Sequence, residues 1–412
     1  MLETRAFPLW AGRSMALIGI LLVAVNLRTA AVAISPIVDS IDADIPLDSV
    51  GIGVIGAIPS IAFSLSAIFG AVAAKKFGLE RLLVFSIIAM TFGHVLRAVS
   101  GSYAVLLIGT IVSLAAAGIG NVLLPPLVKR YFPDRIGLLT GLYALLLAVS
   151  AALPAALAAP VASAAGWQVS IGMWAGLALL AFFPWAAVLL QHRSQQPGFD
   201  GETPELVVPK AAMVGKIWHS RMAWTLAVVF ALSSAHFYTA AAWFPEMIID
   251  LAGVSPVEAG GLLAAFSLMG VPAALLVPML AVRMKNISWL VLAGIGLFIL
   301  GYLGLLFAPT FSPLLWAMII GLGNLTFPVS LVLINLRSRT HDGSVALSGF
   351  VQGVGYALAA GVPLVVGLLH DVTAGWTVPL ALLLALSIAC IAAAIALRKP
   401  NYIEDDLARV RS

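Results

Sequence analysis

Charged residues are scarce in this chain. Asp, Glu, Lys and Arg together make up 10% of its 412 residues, whereas an ordinary soluble domain carries about a quarter. So few charges cannot cover a water-facing surface of this size, and a mean hydropathy of +1.08 indicates that the surrounding solvent is lipid. The net charge of +4 does not indicate a nucleic-acid partner, because the basic residues follow a different pattern described below.

Metal-ligand and catalytic patterns are also missing. The single cysteine, Cys390, excludes an internal disulfide and a cysteine-based metal site. The His-Glu-x-x-His string of zinc hydrolases does not occur. The sequence therefore predicts no catalytic residues, no bound metal and no cofactor.

Long apolar segments fill most of the chain. The segments long enough to span a membrane lie at 14–39, 50–73, 81–99, 103–130, 135–162, 167–191, 222–250, 256–281, 287–308, 312–337, 343–370 and 375–397. We predict an all-α membrane protein of twelve transmembrane helices in two six-helix halves. Its domains are an N-terminal half at 1–191, a polar linker at 192–221, a C-terminal half at 222–398 and a tail at 399–412.

The basic residues predict an orientation. All of the 22 Lys and Arg residues except Arg28 and Arg97 lie in segments that share one side of the membrane when both termini are inside. Because Lys and Arg are enriched in cytoplasmic loops, we expect cytoplasmic termini and a cytoplasmic linker in a cell-membrane protein. The opposite loops carry Asp42, Asp44, Glu246 and Asp250, which fit a solvated acidic loop better than a calcium site.

The two halves share a repeated sequence. The string GIGNVLLP at 118–125 recurs as GLGNLTFP at 321–328, and Gly166-Trp167 recurs as Gly375-Trp376. The offset between matched positions stays between 203 and 209 residues, which indicates a duplication with both halves in the same orientation. Two six-helix halves duplicated in the same orientation are typical of membrane transporters. In these proteins the solute binds near the bilayer midplane between the halves. We interpret the repeated glycines as helix-packing positions and include Asn121 and Asn324 as candidate cavity residues.

Arg28 is the most informative single residue. It lies about 14 residues into the first apolar segment, roughly 21 Å along a helix, where an arginine costs on the order of 3 kcal/mol. No Asp or Glu lies deep within any apolar segment. A buried cation without a protein counter-ion is best explained by a ligand that supplies one, although backbone carbonyls and a buried polar partner could also satisfy it. The planar, bidentate donors of arginine suit a small oxyanion or a nitro group.

His236 is the candidate related to Arg28 by the duplication. An offset of 208 residues from Arg28 leads to His236 in the seventh segment. We therefore expect His236 to line the cavity at a similar depth, although a lone histidine in an apolar helix is often a core residue. If protons are transported, His236 is the expected carrier; facilitated transport without protons is the favoured alternative.

Several further polar residues are candidates for solute binding. Gln352 and Tyr356 lie four residues apart, on one helix face. Tyr143 and Ser150 lie in the fifth segment, and Tyr238 lies in the seventh. Such a cluster can hydrogen-bond a small solute, but aromatic stripes also pack helices together.

Four strings carry a resemblance to a known family: NLRTAAVAISPIVDSI, GNVLLPPLVKRYFPDR, FYTAAAWFPEMIIDLAGVSPVEAG and LSGFVQGVGYALAAGVPLVVGLLHDVTAGW. Together they resemble the cyanate permease and 2-nitroimidazole transporter branch of the major facilitator superfamily. The resemblance implies an alternating-access transporter, monomeric and not an enzyme, for a small anion or nitro compound. Thr29 stands where many members of this branch have proline, which predicts a straighter helix after Arg28.

Other functional classes remain possible from the sequence. A multidrug exporter of the same superfamily is the main rival, although such pumps usually need a membrane-buried carboxylate. An intramembrane hydrolase would need Ser233 or Ser234 to pair with His236, and residues two or three apart on one helix seldom align for proton transfer. A receptor that does not transport is the remaining alternative. The expected partners are a small solute and the lipid bilayer, with protons added if transport is proton-coupled.

Overall fold

Twelve spans make up most of the structure. The computed structural model describes residues 13–194, 216–284, 286–398 and 401–409, so the predicted linker lies largely outside the described residues. Within those ranges, twelve helical segments are long and apolar enough to cross a membrane, as predicted. In chain order, spans 1 to 12 contain the helices Ser14–Asn26 with Thr29–Val32, Ser49–Phe77, Leu79–Ala98, Tyr103–Tyr131, Ile136–Ala165, Trp167–Ser194, Arg221–Ala252, Pro256–Leu268 with Gly270–Arg283, Ser288–Phe307, Pro313–Gly323 with Thr326–Leu336, His341–Thr373 and Thr377–Ala396.

Shorter elements connect or follow the spans. A 3₁₀ turn at Ser35–Ile37 and a helix at Val38–Asp42 follow span 1, and a helix at Ile403–Arg409 follows span 12. We call the side that carries Arg13, Lys129 and Arg339 the basic face and the side that carries Asp44 and Asp250 the acidic face.

The halves pack against each other through two main pairs of spans. Span 2 packs along span 11, and span 5 packs along span 8. Span 7 lies at the centre: it contacts span 11 within its own half and spans 1 and 2 of the other half, and most of its residues are buried. This arrangement leaves the faces of spans 1, 4, 7 and 10 directed toward the space between the halves.

The duplication is visible in matching hydrogen bonds. Trp167 Nε1 donates to Asp44 Oδ2 at 2.7 Å in the N-terminal half, and Trp376 Nε1 donates to Asp250 Oδ2 at 2.8 Å in the C-terminal half. The first bond ties the loop after span 1 to the start of span 6, and the second ties the end of span 7 to the start of span 12. The two halves therefore share a tertiary contact as well as a sequence pattern.

The repeated glycines allow helices to approach closely. A Cβ atom on Gly118 would collide with the Ser66 side chain of span 2, and one on Gly321 would collide with the Phe266 carbonyl of span 8. Small residues permit such close helix contacts in membranes. The structure thus places both glycines of the repeat at helix-packing positions.

Span 1 is interrupted at Arg28. The first helix ends at Asn26, and Arg28 has φ −117° and ψ −2° before the chain becomes helical again at Thr29. Thr29 Oγ1 donates to the Asn26 carbonyl at 2.9 Å, and Asn26 Nδ2 donates to the Leu22 and Leu177 carbonyls. Hydroxyls that bond back to helix carbonyls bend helices. The prediction that Thr29 straightens this helix is therefore wrong.

Span 10 has a similar interruption. Its first helix ends at Gly323, Asn324 is not helical, and Thr326 Oγ1 donates to the Gly323 carbonyl at 3.2 Å. Span 4, its counterpart in the other half, stays continuous from Tyr103 to Tyr131. Interrupted helices bring polar backbone and side chains to mid-membrane depth, which membranes tolerate where the groups line a cavity.

His236 belongs to the packed core of the C-terminal half. It is fully buried, Tyr302 OH lies 2.8 Å from its Nδ1, and Ser387 Oγ lies 3.0 Å from its Nε2. The Phe298 ring lies 4.1 Å from the imidazole, centroid to centroid. Spans 7, 9 and 12 are thus joined through one imidazole.

We expect His236→Ala to destabilise the C-terminal half by about 3 kcal/mol, because it leaves a cavity and removes the partner of two buried hydroxyls. His236→Gln, which keeps hydrogen-bonding capacity, should lose less. Denaturant unfolding of the purified protein measures this, with His219→Ala at an exposed position as the control. An unfolding midpoint for His236→Ala equal to that of the control would contradict this packing role.

Candidate functional site

A large cavity of about 1060 Å³ lies between the two halves. Spans 1, 2, 4, 5, 7, 8, 10 and 11 all contribute to its walls. Its lining runs from Arg28 in the middle of the bundle to Val72, Thr140, Trp218 and Ser344 at the basic ends of the spans. The cavity therefore opens toward the basic face.

The acidic end of the bundle is closed by contacts between small residues. A Cβ on Gly56 of span 2 would lie 2.7 Å from the Ala242 Cβ of span 7, and one on Gly53 would lie 2.9 Å from the Leu364 Cα of span 11. Trp243 Nε1 donates to the Pro363 carbonyl at 2.8 Å and covers the same region. Access to the cavity is consequently one-sided in this structure.

Arg28 lies at the inner end of the cavity and contacts aromatic rings of the other half. Its guanidinium carbon lies 4.1 Å from the centroid of the Phe237 ring, 6.0 Å from that of Tyr238 and 5.9 Å from that of Phe327. A cation within about 6 Å of an aromatic ring is attracted to its face. The interruption of span 1 and these three rings together fix the position of the guanidinium.

No carboxylate balances this charge within the described residues. The described part of the cavity lining contains no Asp or Glu, and the Arg28 guanidinium makes no salt bridge or hydrogen bond with any described residue. The guanidinium therefore presents its N–H donors to the cavity, and the rings supply only a weak attraction compared with a counter-ion.

Two asparagines, one from each half, flank the cavity. Tyr143 OH donates to Asn121 Oδ1 at 2.8 Å, and Ser233 Oγ donates to Asn324 Oδ1 at 3.1 Å. In both pairs the hydroxyl occupies the amide oxygen, so each amide N–H₂ group remains a donor. Arg28, Asn121 and Asn324 thus make the cavity rich in donors.

Span 11 contributes the remaining polar candidates. Gln352 Nε2 donates to Ser348 Oγ at 2.8 Å, which leaves its amide oxygen as an acceptor. The ring of Tyr356 packs on Phe230 at 4.8 Å and on Phe63 at 5.7 Å between centroids, and Tyr238 lies 6.3 Å from it. The wall opposite Arg28 is accordingly aromatic with polar edges.

The structure brings seven of the eight predicted site residues to one cavity. These are Arg28, Asn121, Tyr143, Tyr238, Asn324, Gln352 and Tyr356. Ser150, the further candidate in span 5, is fully buried and donates to the Leu147 carbonyl instead.

The expectation that His236 lines the cavity is wrong. Span 7 turns Ser233, Ser234, Phe237 and Tyr238 toward the cavity, and at about 100° per residue His236 points away from the centre of that face. Phe237, the next residue, occupies the position facing Arg28. The offset between the halves varies between 203 and 209 residues, so one value of the offset does not identify which residue faces the cavity.

Sequence reasoning missed the aromatic contacts of Arg28. Phe327 follows Asn324 by three residues, so helical spacing from an accepted polar candidate could have indicated it. Phe237 is adjacent to Tyr238, and neighbouring residues do not share a helix face, so this spacing could not have indicated Phe237. Ser348, four residues before Gln352, could have been found in the same way.

The side chains required for a hydrolytic dyad do not meet. Ser233 donates to Asn324, whereas both ring nitrogens of His236 lie against Tyr302 and Ser387. Neither serine therefore has a histidine base within reach, and the hydrolase alternative loses its geometric basis.

Known proteins resemble this chain over most of its length. The Major Facilitator Superfamily model matches residues 16–360. The chain is 34% identical to the uncharacterized transporter YycB of Bacillus subtilis (93% of this chain and 94% of the relative). It is 33% identical to the 2-nitroimidazole transporter (89% and 91%) and 26% identical to the cyanate transport protein CynX (87% and 91%), both of Escherichia coli.

The fold also matches a solved transporter. A bacterial homolog of the human lysosomal transporter Spinster, solved in an inward-facing and unoccupied conformation, aligns with a TM-score of 0.67 at 15% identity, covering 98% of this chain and 95% of that one. The predicted resemblance to the cyanate and nitroimidazole branch is confirmed, as is the prediction that the chain is not an enzyme. The chain belongs to the Major Facilitator Superfamily and is a multi-pass secondary transporter built from two six-helix halves.

Proposed function

We propose that this transporter carries a small, acceptor-rich solute, an anion or a nitro compound, that binds at Arg28 near the midplane. The observation that carries the proposal is the guanidinium at the inner end of the cavity, with no carboxylate in the described lining. A desolvated cation is costly, and a solute that accepts its N–H donors offsets that cost. Arginine offers two parallel donors to a carboxylate-like pair of oxygens, such as those of a nitro group.

The rest of the lining supports the same solute class. The free amide donors of Asn121 and Asn324 suit acceptor atoms at the two sides of a solute. The rings of Phe237, Phe327 and Tyr356 offer apolar faces to a planar body. Two relatives, the 2-nitroimidazole transporter and the cyanate transport protein, carry names that fit such solutes.

A multidrug exporter of cations is the second candidate, and the cavity favours it less. A cationic drug in the cavity would be repelled by the positive charge of Arg28. The described lining offers aromatic rings that could hold a cation but no carboxylate. The charge of the cavity thus favours an anion or a polar neutral solute.

We further propose that the protein lies in the cell membrane with its basic face in the cytoplasm and transports by alternating access. The positive-inside pattern supports this orientation, in which the present cavity faces inward. With His236 outside the cavity, the favoured mode is facilitated transport rather than proton symport.

We expect Arg28→Ala to weaken binding of 2-nitroimidazole or cyanate at least about tenfold, since it removes a charge-assisted bidentate contact. Arg28→Lys should fall between the parent and Arg28→Ala, because it keeps the charge and loses the planar fork. Calorimetry or thermal shift on purified protein measures the affinity, and Arg221→Ala, an exposed arginine at the start of span 7, serves as control. If folded Arg28→Ala binds and transports as the parent does, the proposal fails.

The proposed orientation predicts which face a membrane-impermeant maleimide reaches. In a Cys390→Ala background, Val257→Cys at the acidic end of span 8 should label in intact cells, and His219→Cys at the basic face should label only after permeabilisation. Both positions are exposed. Labelling of His219→Cys from outside intact cells would reverse the orientation.

A further inference from the structure

The C-terminal segment 401–406 contacts the start of span 7. Asp406 Oδ2 accepts hydrogen bonds from Ser220 Oγ at 2.9 Å and from the Met222 amide at 3.2 Å. Ser220 is also the N-cap of span 7, because its Oγ accepts from the Ala223 amide at 3.1 Å. The tail carboxylate thus binds the hydroxyl that caps this helix.

The same segment contacts the start of span 11 in the same way. Glu404 Oε1 accepts from Thr340 Oγ1 at 2.9 Å and from the amides of Arg339 and Thr340 at 3.0 Å each. Thr340 Oγ1 in turn accepts from the Gly343 amide at 3.0 Å and caps span 11. Two N-cap hydroxyls are therefore each bound by a carboxylate of one short segment.

Further contacts hold the segment against the basic face. Asp405 forms a bidentate pair with Arg339 at 2.6 and 3.0 Å, and the Arg339 guanidinium lies 4.1 Å from the centroid of the Tyr402 ring. The Ile403 amide donates to the Arg337 carbonyl at 2.9 Å, and the Ile403 side chain is fully buried.

The N-terminal half makes the equivalent connection directly. Arg13, at the start of span 1, pairs with Asp134, just before span 5, through two hydrogen bonds of 2.7 and 3.2 Å. Hydrogen bonding from the Arg13 guanidinium holds the pKa of the Asp134 carboxyl below its usual range, so the pair is ionised at neutral pH. In the C-terminal half, the starts of the matching spans 7 and 11 are joined through the carboxylates of segment 401–406.

We propose that segment 401–406 is a clamp that ties the starts of spans 7 and 11 to each other, as the Arg13–Asp134 pair ties the starts of spans 1 and 5, and that it positions the mouth of the cavity. Trp218 and Ser344, which line that mouth, lie within four residues of the clamped hydroxyls. Glu404 and Asp406 are positioning residues in this account. The proposal rests on the chain being a transporter and not on the identity of its solute.

The ionisation of Glu404 agrees with this role. Partial burial opposes ionisation, but hydrogen bonds from backbone amides and from Thr340 outweigh it and keep the pKa of Glu404 below its usual range. The carboxylate therefore accepts these bonds in its stronger, charged form at neutral pH.

Hydrogen exchange of the full-length protein tests the clamp without any solute. We expect Glu404→Gln to raise amide exchange about fivefold at its own contact, 340–344, and also at 220–224, which Glu404 does not touch. Asp406→Asn should raise exchange at the same two segments. Ser220→Ala, which leaves the tail intact, should raise exchange at 340–344 as well.

A control separates a clamp from two independent caps. Among the described residues, the capping carboxylate of Glu258 bonds to Ser255 alone, at the start of span 8, so the effect of Glu258→Gln should stay local. If the effects of Glu404→Gln, Asp406→Asn and Ser220→Ala are each confined to the span that the changed residue contacts, as in Glu258→Gln, the proposal is overturned.

Discussion

The structure depends on one constraint, the presence of an arginine at mid-membrane depth without a carboxylate partner among the described residues of its cavity. Placing Arg28 there requires the interruption of span 1, which Asn26 and Thr29 stabilise by bonding to helix carbonyls. It also requires a water-accessible space, since a guanidinium in hydrocarbon is too costly. The cavity between the halves supplies that space, and Phe237, Tyr238 and Phe327 hold the guanidinium from the opposite half.

This arrangement links solute binding to the contact between the halves. Arg28 and Asn121 belong to the N-terminal half, whereas Asn324 and the aromatic rings belong to the C-terminal half. A solute that bonds to Arg28 would compete with the cation–π contacts and contact both halves at once. At the acidic end, glycines such as Gly56 let the spans approach closely, so the two halves that line the cavity also close its acidic end. A ligand shifts the equilibrium between two conformations only through contacts that differ between those conformations. A cavity that is lined by both halves offers such contacts.

The large-scale architecture was predictable from sequence because it follows from simple physics. Apolar length defines the spans, and the duplication defines two parallel halves. The finer placement was only partly predictable. Polar residues in apolar helices usually face a cavity, which predicts Asn121 and Asn324, but the repeat offset varies between 203 and 209 residues and led to His236 instead of Phe237. The interruptions at Arg28 and Asn324 arise from hydroxyl and amide contacts with backbone carbonyls, which depend on rotamers and on Leu177 of another span. The sequence predicts only a tail for the C-terminal segment, because its partners Ser220 and Thr340 are far from it in sequence.

Chemical rescue of Arg28→Ala by free guanidinium tests the central claim most directly. The truncated side chain leaves room for a guanidinium ion beside Phe237 and Phe327. Guanidinium chloride, at a concentration too low to denature the protein, should therefore restore binding of 2-nitroimidazole. The same concentration of sodium chloride should not. That result would show that a guanidinium group at this position supplies the solute contact. Binding by Arg28→Ala at the parent's affinity without guanidinium would contradict the account.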